Sequence, residues 1–260
     1  MDYEKIEVTY DEGIAVITLN DPQKMNPLGK QMFKELVDAF GSLRQNDDVG
    51  AVVLTGKGKA FSAGGDVREL ASGEMQVGTF LEGRIASKEI IMAIRSFEKP
   101  LICAVNGIAA GGGAGLVLCS DIVFASEQAS FSVIFRRIGM IPDCGVLYTL
   151  PQIVGPAKAK ELVFSGEIID AQEMLRLGLA QHVVRPEEVL PKAIAFSKIC
   201  ALGPRSVLSL SKILIERASS VSVEEYFDYE SLALPIVMNS NDFHEGIDAF
   251  LNKRLAEFCA

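Results

Sequence analysis

Between Leu101 and Ser120 the chain runs for 20 residues without a charge, the length of a membrane span. Asn106-Gly107, a Gly111-Gly112-Gly113 run and Gly115 lie inside it, and Asp121 follows at once. Glycine at that density reads as a strand, a tight turn and a buried helix. A strand that ends in a glycine turn and feeds a helix leaves unpaired backbone N–H groups at the helix N-terminus. Without Cβ atoms those groups can come close to a ligand oxygen.

The pattern around this segment is of the same kind. Ile6–Tyr10 and Ile14–Leu19 are strand-like runs separated by Asp11-Glu12-Gly13, a hairpin signal. Asn26-Pro27 opens a helical stretch in which Met32, Phe33, Leu36, Phe40 and Leu43 share one face. Ala51–Thr55 is a short buried strand, a long helix is predicted around Leu81–Phe97, and Leu101–Val105 and Ile122–Ala125 are again strands. Strand and helix alternate through about Val184, so the expected fold is an α/β core with parallel strands. From about Glu187 the pattern becomes helical. The expected division is a core of residues 1–195 and a helical subdomain of residues 196–260, packed together because no low-complexity linker joins them.

Charge narrows the partners. With 25 Lys and Arg against 34 Asp and Glu the net charge is −9, so no basic face is expected for nucleic acid or an anionic membrane surface. The five cysteines are odd in number and lack CxxC spacing, which argues against a disulfide scaffold and a zinc site. Met1–Lys5 has neither a basic nor an apolar leader character, and a cytoplasmic location is expected.

Three segments carry candidate chemistry. Gly111–Leu116 lacks the last glycine of a dinucleotide-binding fingerprint, since Leu116 stands there, and it lacks a Walker lysine. In Ala60-Phe61-Ser62-Ala63-Gly64-Gly65-Asp66-Val67, Ala60-x-Ser62-x-Gly64 is one residue from a hydrolase nucleophile elbow. His182 and His244 follow Ser62 in the order a triad needs, but nothing ties either to it. In Pro142-Asp143-Cys144-Gly145, Asp143 reads either as a helix N-cap or as a carboxylate against an apolar pocket, raised toward general-base strength.

In this order the segments resemble the crotonase superfamily, the enoyl-CoA hydratases and isomerases. Asn20-Asp21-Pro22-Gln23-Lys24-Met25-Asn26-Pro27-Leu28 is similar to that family's opening motif, and Phe61–Val67 to its F-x-A-G-x-D element. Asn106–Gly115 with Cys119-Ser120-Asp121-Ile122, and Glu245–Arg254 near the end, resemble two further motifs. The resemblance implies a spiral of ββα units with a helical C-terminal trimerisation subdomain, and a homotrimer or hexamer. It implies an acyl-CoA thioester substrate, with CoA as part of that substrate and no separate cofactor or metal. The backbone N–H groups of Gly65 and Gly112 would form an oxyanion hole. Lys24, Met25, Leu28, Ala63, Asp66 and Val67 would line the CoA path, with Phe250 and Lys253 reaching a neighbour's CoA. Lys57 and Lys59 are further candidates for the phosphates.

The two glutamates of an enoyl-CoA hydratase would fall at Gly115 and Phe135, and neither residue can titrate. Asp143 stands where some members carry a single acid. The resemblance therefore implies an acyl-CoA isomerase with Asp143 as acid/base. The alternatives are hydration or thioester hydrolysis through water activated by Asp143, and a catalytically silent acyl-CoA-binding subunit. A dehalogenase with a nucleophilic aspartate fits less well, because Phe135 and Arg136 occupy its aromatic stretch. The acyl group is expected to depend on Ala71–Phe80, a candidate wall over the pocket.

Overall fold

The computed structural model describes residues 3–66 and 77–258, with the backbone alone for 77–84. Val67 and residues 71–76 of the candidate pocket wall lie outside the described residues.

Strands β1 (Ile6–Asp11) and β2 (Ile14–Leu19) form the expected antiparallel hairpin. Its turn residues Glu12 and Gly13 are both at positive φ, the backbone that matches strand twist in a two-residue loop. Beyond it lie β3 (Ala51–Gly56), β5 (Leu101–Val105), β7 (Ile122–Ser126) and β10 (His182–Val184), joined in parallel in the order β1-β2-β3-β5-β7-β10. A second sheet holds four three-residue strands, β4 (Ala60–Ser62), β6 (Ile108–Ala110), β8 (Ser130–Ser132) and β9 (Ile168–Asp170), in the order β4-β6-β8-β9. Each of β3, β5 and β7 passes directly into a strand of the small sheet before the chain turns into helix. That is the ββα spiral the resemblance implies, and the uncharged run Leu101–Ser120 is one turn of it: β5, β6 and helix.

Strand β3 is buried along its whole length, as a parallel strand covered on both faces must be. Its alternate residues enter different cores. Val52 and Leu54 join the main core with Leu36, Phe40, Leu43, Ile90, Ile94 and Phe97. Ala51 and Val53 face a second layer with Val189, Ala193 and Ala201.

Helix α1 spans Lys30–Gln45, buries Met32, Phe33, Leu36, Phe40 and Leu43, and begins after the N-cap Gly29. The predicted start at Asn26-Pro27 is too early, because Met25 and Asn26 are both left-handed (φ 62° and 53°) and the Asn26 side chain is committed elsewhere. Helix α2 spans Val77–Arg95, α3 spans Gly112–Leu118, α4 spans Val146–Ser165 and α5 spans Ala171–Arg176.

Helix α6 (Val189–Ala201) lies across the outer face of the large sheet, so residue 195 falls inside a sheet-covering helix. The tail beyond it consists of α7 (Arg205–Ala218), α8 (Val223–Met238) and α9 (Asn241–Leu251). Ser222 and Ser240 cap α8 and α9 by accepting from Glu225 N and Phe243 N. Lys212 of α7 ties the tail to the core, donating to Asp121 Oδ2 at 2.7 Å and to Lys99 O at 3.1 Å. Among the described residues, no single helix is long and apolar enough to cross a membrane.

Candidate active site

The candidate residues from the first third of the chain come together through main-chain bonds. Ala63 N donates to Met25 O at 2.9 Å, and Leu28 N donates to Gly64 O at 2.7 Å. The 25–28 segment is thereby laid alongside 63–64. Asn26 is fully buried beneath them. Its Nδ2 donates to Lys57 O, Ala60 O and Phe61 O at 3.0, 2.9 and 3.1 Å, while Oδ1 accepts from Asp21 N at 2.9 Å. Lys24 Nζ lies 3.7 Å from Asp66 Oδ2 across the same region. Met25 is exposed and Leu28 buried.

The two glycine segments also meet. Gly64 has φ +91°, and a Cβ there would fall 2.7 Å from Ala110 O and 3.2 Å from Gly112 N. Only glycine allows that approach. Gly65, the next residue, is exposed, and a Cβ built on it would meet nothing within 4 Å. Gly112 is buried as the first residue of α3 and precedes the intrahelical ladder. Among the described residues, neither the Gly65 N–H nor the Gly112 N–H donates to a protein acceptor. Both amides flank the crossing at which Gly64 approaches Ala110 and Gly112.

The third segment closes over α3. Helix α4 takes Gly145 as its N-cap, without a side-chain cap, so Asp143 is not the N-cap that a sequence reading allows. Asp143 is half-buried, and its carbonyl accepts from Val146 N at 3.0 Å. Cys144 is buried at positive φ, 49°, and packs on α3: a Cβ on Gly112 would meet Leu28 Cδ1 at 3.1 Å and Cys144 Sγ at 3.2 Å. Asp143 is therefore the immediate neighbour of a residue seated beside Gly112.

The two positions of the absent glutamates hold no substitute acid. A Cβ on Gly115 would fall 2.6 Å from Cys144 O, and Phe135 is buried, its ring 3.8 Å from a Cβ built on Gly111. Arg136 and Arg137 turn to the far end of α4, donating to Ser165 O at 3.1 Å and Gly166 O at 3.3 Å.

Ser62 is a pin in the fold and not a nucleophile. It is fully buried, its hydroxyl donates to Asn26 O at 2.8 Å, and it accepts from Gly64 N at 3.2 Å. His182 instead stacks on Phe124 at 4.3 Å, and His244 Nδ1 lies 2.8 Å from Ser240 O. Burial pushes the Cys103 thiol up to about 12 and the Cys119 thiol up to about 11, in keeping with small apolar fillers. Lys57 pairs with Glu7 at 2.6 Å, Lys59 is exposed, and Phe250 and Lys253 stand exposed at the end of α9. Among the described residues, no three His, Cys, Asp or Glu side chains gather as metal ligands. Sequence reasoning missed the anchoring role of Asn26 and the seat of Cys144. The first could have been sought in the Asn-Pro pair, whereas the second had no sequence signal.

The fold and the crossing of glycine turns define a class: a ββα-spiral protein in which a buried glycine-rich helix starts against a second glycine turn. Comparison with known proteins narrows it. The family model for enoyl-CoA hydratase/isomerase matches residues 9–260. A crotonyl-CoA hydratase of Syntrophomonas wolfei is 36% identical over 262 residues, covering 99% of each chain. A 1,2-epoxyphenylacetyl-CoA isomerase of Escherichia coli is 31% identical over 252 residues, covering 95% of each. The crystal structure of an enoyl-CoA hydratase from Bacillus anthracis superposes with a TM-score of 0.94 at 30% identity, covering 98% of this chain and 99% of that one. The chain belongs to the enoyl-CoA hydratase/isomerase family, within the crotonase superfamily. The family acts on acyl-CoA thioesters.

Proposed function

We propose that the protein is an acyl-CoA isomerase that shifts a proton within an unsaturated CoA thioester. The Asp143 carboxylate removes a proton from the α- or γ-carbon. The electron pair of the broken C–H bond moves through the conjugated system to the thioester oxygen, giving an enolate held by the Gly65 and Gly112 amides. Protonated Asp143 then returns the proton at the other carbon. One carboxylate and one oxyanion hole balance the reaction, with CoA as part of the substrate and no separate cofactor.

The observation that supports this reading is the seat of Cys144 against Gly112, with Asp143 the acid next to it in sequence, while the hydratase positions hold Gly115 and Phe135. Lys24, Met25, Leu28, Ala63 and Asp66 form the stretch along which CoA would lie. Hydration through water activated by Asp143 is the second reading, favoured by the names of relatives such as the Syntrophomonas crotonyl-CoA hydratase.

The test is a panel of enoyl-, dienoyl- and aromatic-ring CoA thioesters turned over in deuterated water and followed by mass. Isomerisation gives exchange with no other gain in mass, hydration adds one water, and hydrolysis releases CoA. Asp143→Asn should keep the fold and thioester binding while lowering both exchange and turnover by roughly 10²–10⁴-fold. Near-normal exchange in that variant would remove Asp143 from the mechanism, and binding without turnover across the whole panel would favour a silent subunit.

We further propose a homotrimer or a dimer of trimers, with the residues from 196 onward supplying much of the contact. Leu232, Ile236, Leu251 and Phe250, the last 82% exposed, are apolar side chains left in water by the single chain. Light scattering should give three or six copies. A monomer that binds CoA at full strength on dilution would count against Phe250 and Lys253 acting across subunits.

A further inference from the structure

Helix α3 begins Gly112-Gly113-Ala114-Gly115 and is buried throughout, although glycine is the poorest helix former after proline. Gly112 and Gly115 are three residues apart and so share one face of the first turn. Cys144 fills that face. Its Sγ lies 3.2 Å from a Cβ built on Gly112, and its own Cβ and carbonyl oxygen lie 2.7 and 2.6 Å from a Cβ built on Gly115. The second contact is with backbone and with the root of a side chain, not with a flexible end, so no rotamer change relieves it. The turn itself is tightly specified, since Cys144 at φ 49° is followed by Gly145 at φ 73°, two left-handed residues in succession.

We infer that Gly115 and Cys144 are a matched pair of positioning residues: the bare face at 115 seats Cys144, and this seat fixes Asp143 relative to the Gly112 amide. The inference rests on the proton-shuttle reading of Asp143. A side chain at 115, a carboxylate included, enters the space that the 143–145 turn occupies here, so glycine at 115 holds the acid of the turn in place without touching substrate.

The experiment compares Gly115→Ala, Gly115→Glu, Cys144→Ala and Cys144→Ser with Asp143→Asn in the full-length protein. It reads kcat, KM, α-proton exchange into deuterated water, thioester Kd and far-UV circular dichroism. Gly115→Ala should lower kcat and exchange together by about ten- to a hundredfold, the effect of displacing a catalytic group by around an ångström, with KM and Kd within about twofold. Gly115→Glu should lose isomerisation without gaining addition of water. Cys144→Ala should show a smaller loss in kcat alone, restored by the near-isosteric Cys144→Ser. Wild-type kcat in Gly115→Ala, a loss confined to KM, or hydration by Gly115→Glu would each overturn the inference. Should the Gly115 variants fail to fold, Cys144→Ala decides it, and wild-type kcat there overturns it. Full activity of Asp143→Asn would overturn the proton-shuttle reading and this inference with it. Full activity of Gly115→Ala beside an inactive Asp143→Asn would overturn this inference alone.

Discussion

Replacing Asn26 by alanine tests how the candidate site is held. The side chain is fully buried and makes four contacts of 2.9–3.1 Å, three as donor and one as acceptor. An amide nitrogen carries two hydrogens, so the three carbonyls share them and the effective number of bonds is three. At about 1 kcal/mol net for each, their loss costs about 3 kcal/mol. Alanine must also hold φ 53°, where asparagine is tolerated and alanine is not, which adds about 1 kcal/mol. The expected destabilisation is about 4 kcal/mol. Asn26→Asp should be no milder, because it keeps the shape but sets a charged acceptor against Lys57 O, Ala60 O and Phe61 O. Urea unfolding monitored by circular dichroism measures the cost, and CoA titration of the folded fraction should show weakened binding, since Met25 and Leu28 are laid beside Ala63 and Gly64 by this anchor. A loss below about 1 kcal/mol in Asn26→Ala would mean that solvent or a relaxed loop satisfies those carbonyls, and the anchoring argument would be refuted.

Two further predictions concern stability. Burial by itself would raise the Glu35 carboxyl, but hydrogen bonds from Gln31 and from the Lys5, Glu4 and Ile6 amides outweigh it and leave it below the ordinary value of 4.5. Its stabilisation is thus complete above the ordinary carboxylate range and is lost as pH falls through the lowered value; Glu35→Gln should reduce Tm at neutral pH and flatten its decline toward about pH 3, and an unchanged Tm-versus-pH slope would contradict this. Lys212→Met removes the partly buried tie between α7 and Asp121, whose carboxylate also accepts from Leu101 N at 2.7 Å, at a cost of about 2 kcal/mol after allowance for its partial exposure. Limited proteolysis should then cut faster between residues 202 and 204 while the core fragment stays resistant, and equal cutting rates would show that the tie does not hold the tail.

The large sheet is legible because β2, β3, β5 and β7 are mostly apolar runs, the signature of strands covered on both faces. The small sheet is not. Ser130–Ser132 and Ile168–Asp170 are too short to show a period, and they pair only because β3, β5 and β7 each deliver the chain to the same edge. The start of α1 was misread for a similar reason: Asn26 looks like a helix opener until its side chain is seen spent on residues 57–61. Residue 195 was a boundary in composition and not in packing, since α6 keeps its apolar face on the sheet through Ala201. In the site, the glycine turns were visible as motifs. The fit of Cys144 onto Gly115 was not, because it depends on how closely two distant segments approach, which a single sequence does not encode locally.

That division between visible and hidden features follows from how the site is constructed. On one side of the crossing, a Cβ on Gly64 would strike Ala110 O at 2.7 Å; on the other, a Cβ on Gly113 would strike Ser62 O at 2.6 Å. The end of β4 with its following turn and the junction of β6 with α3 therefore touch main chain to main chain in both directions, beside the Gly65 and Gly112 amides. Such contact demands glycine at fixed spacings, which leaves a motif in the sequence. The group that would choose the reaction is held differently, by a side chain on a separate turn pressed against the same helix. A change that adds a Cβ at 64 or 113 should disturb the amides and so any chemistry at the thioester oxygen. On the proposed reading, a change at 143 should leave that main-chain contact intact and alter what is done with the substrate once its oxygen is held. The backbone contact at the thioester oxygen and the acid on the turn would then vary independently of each other.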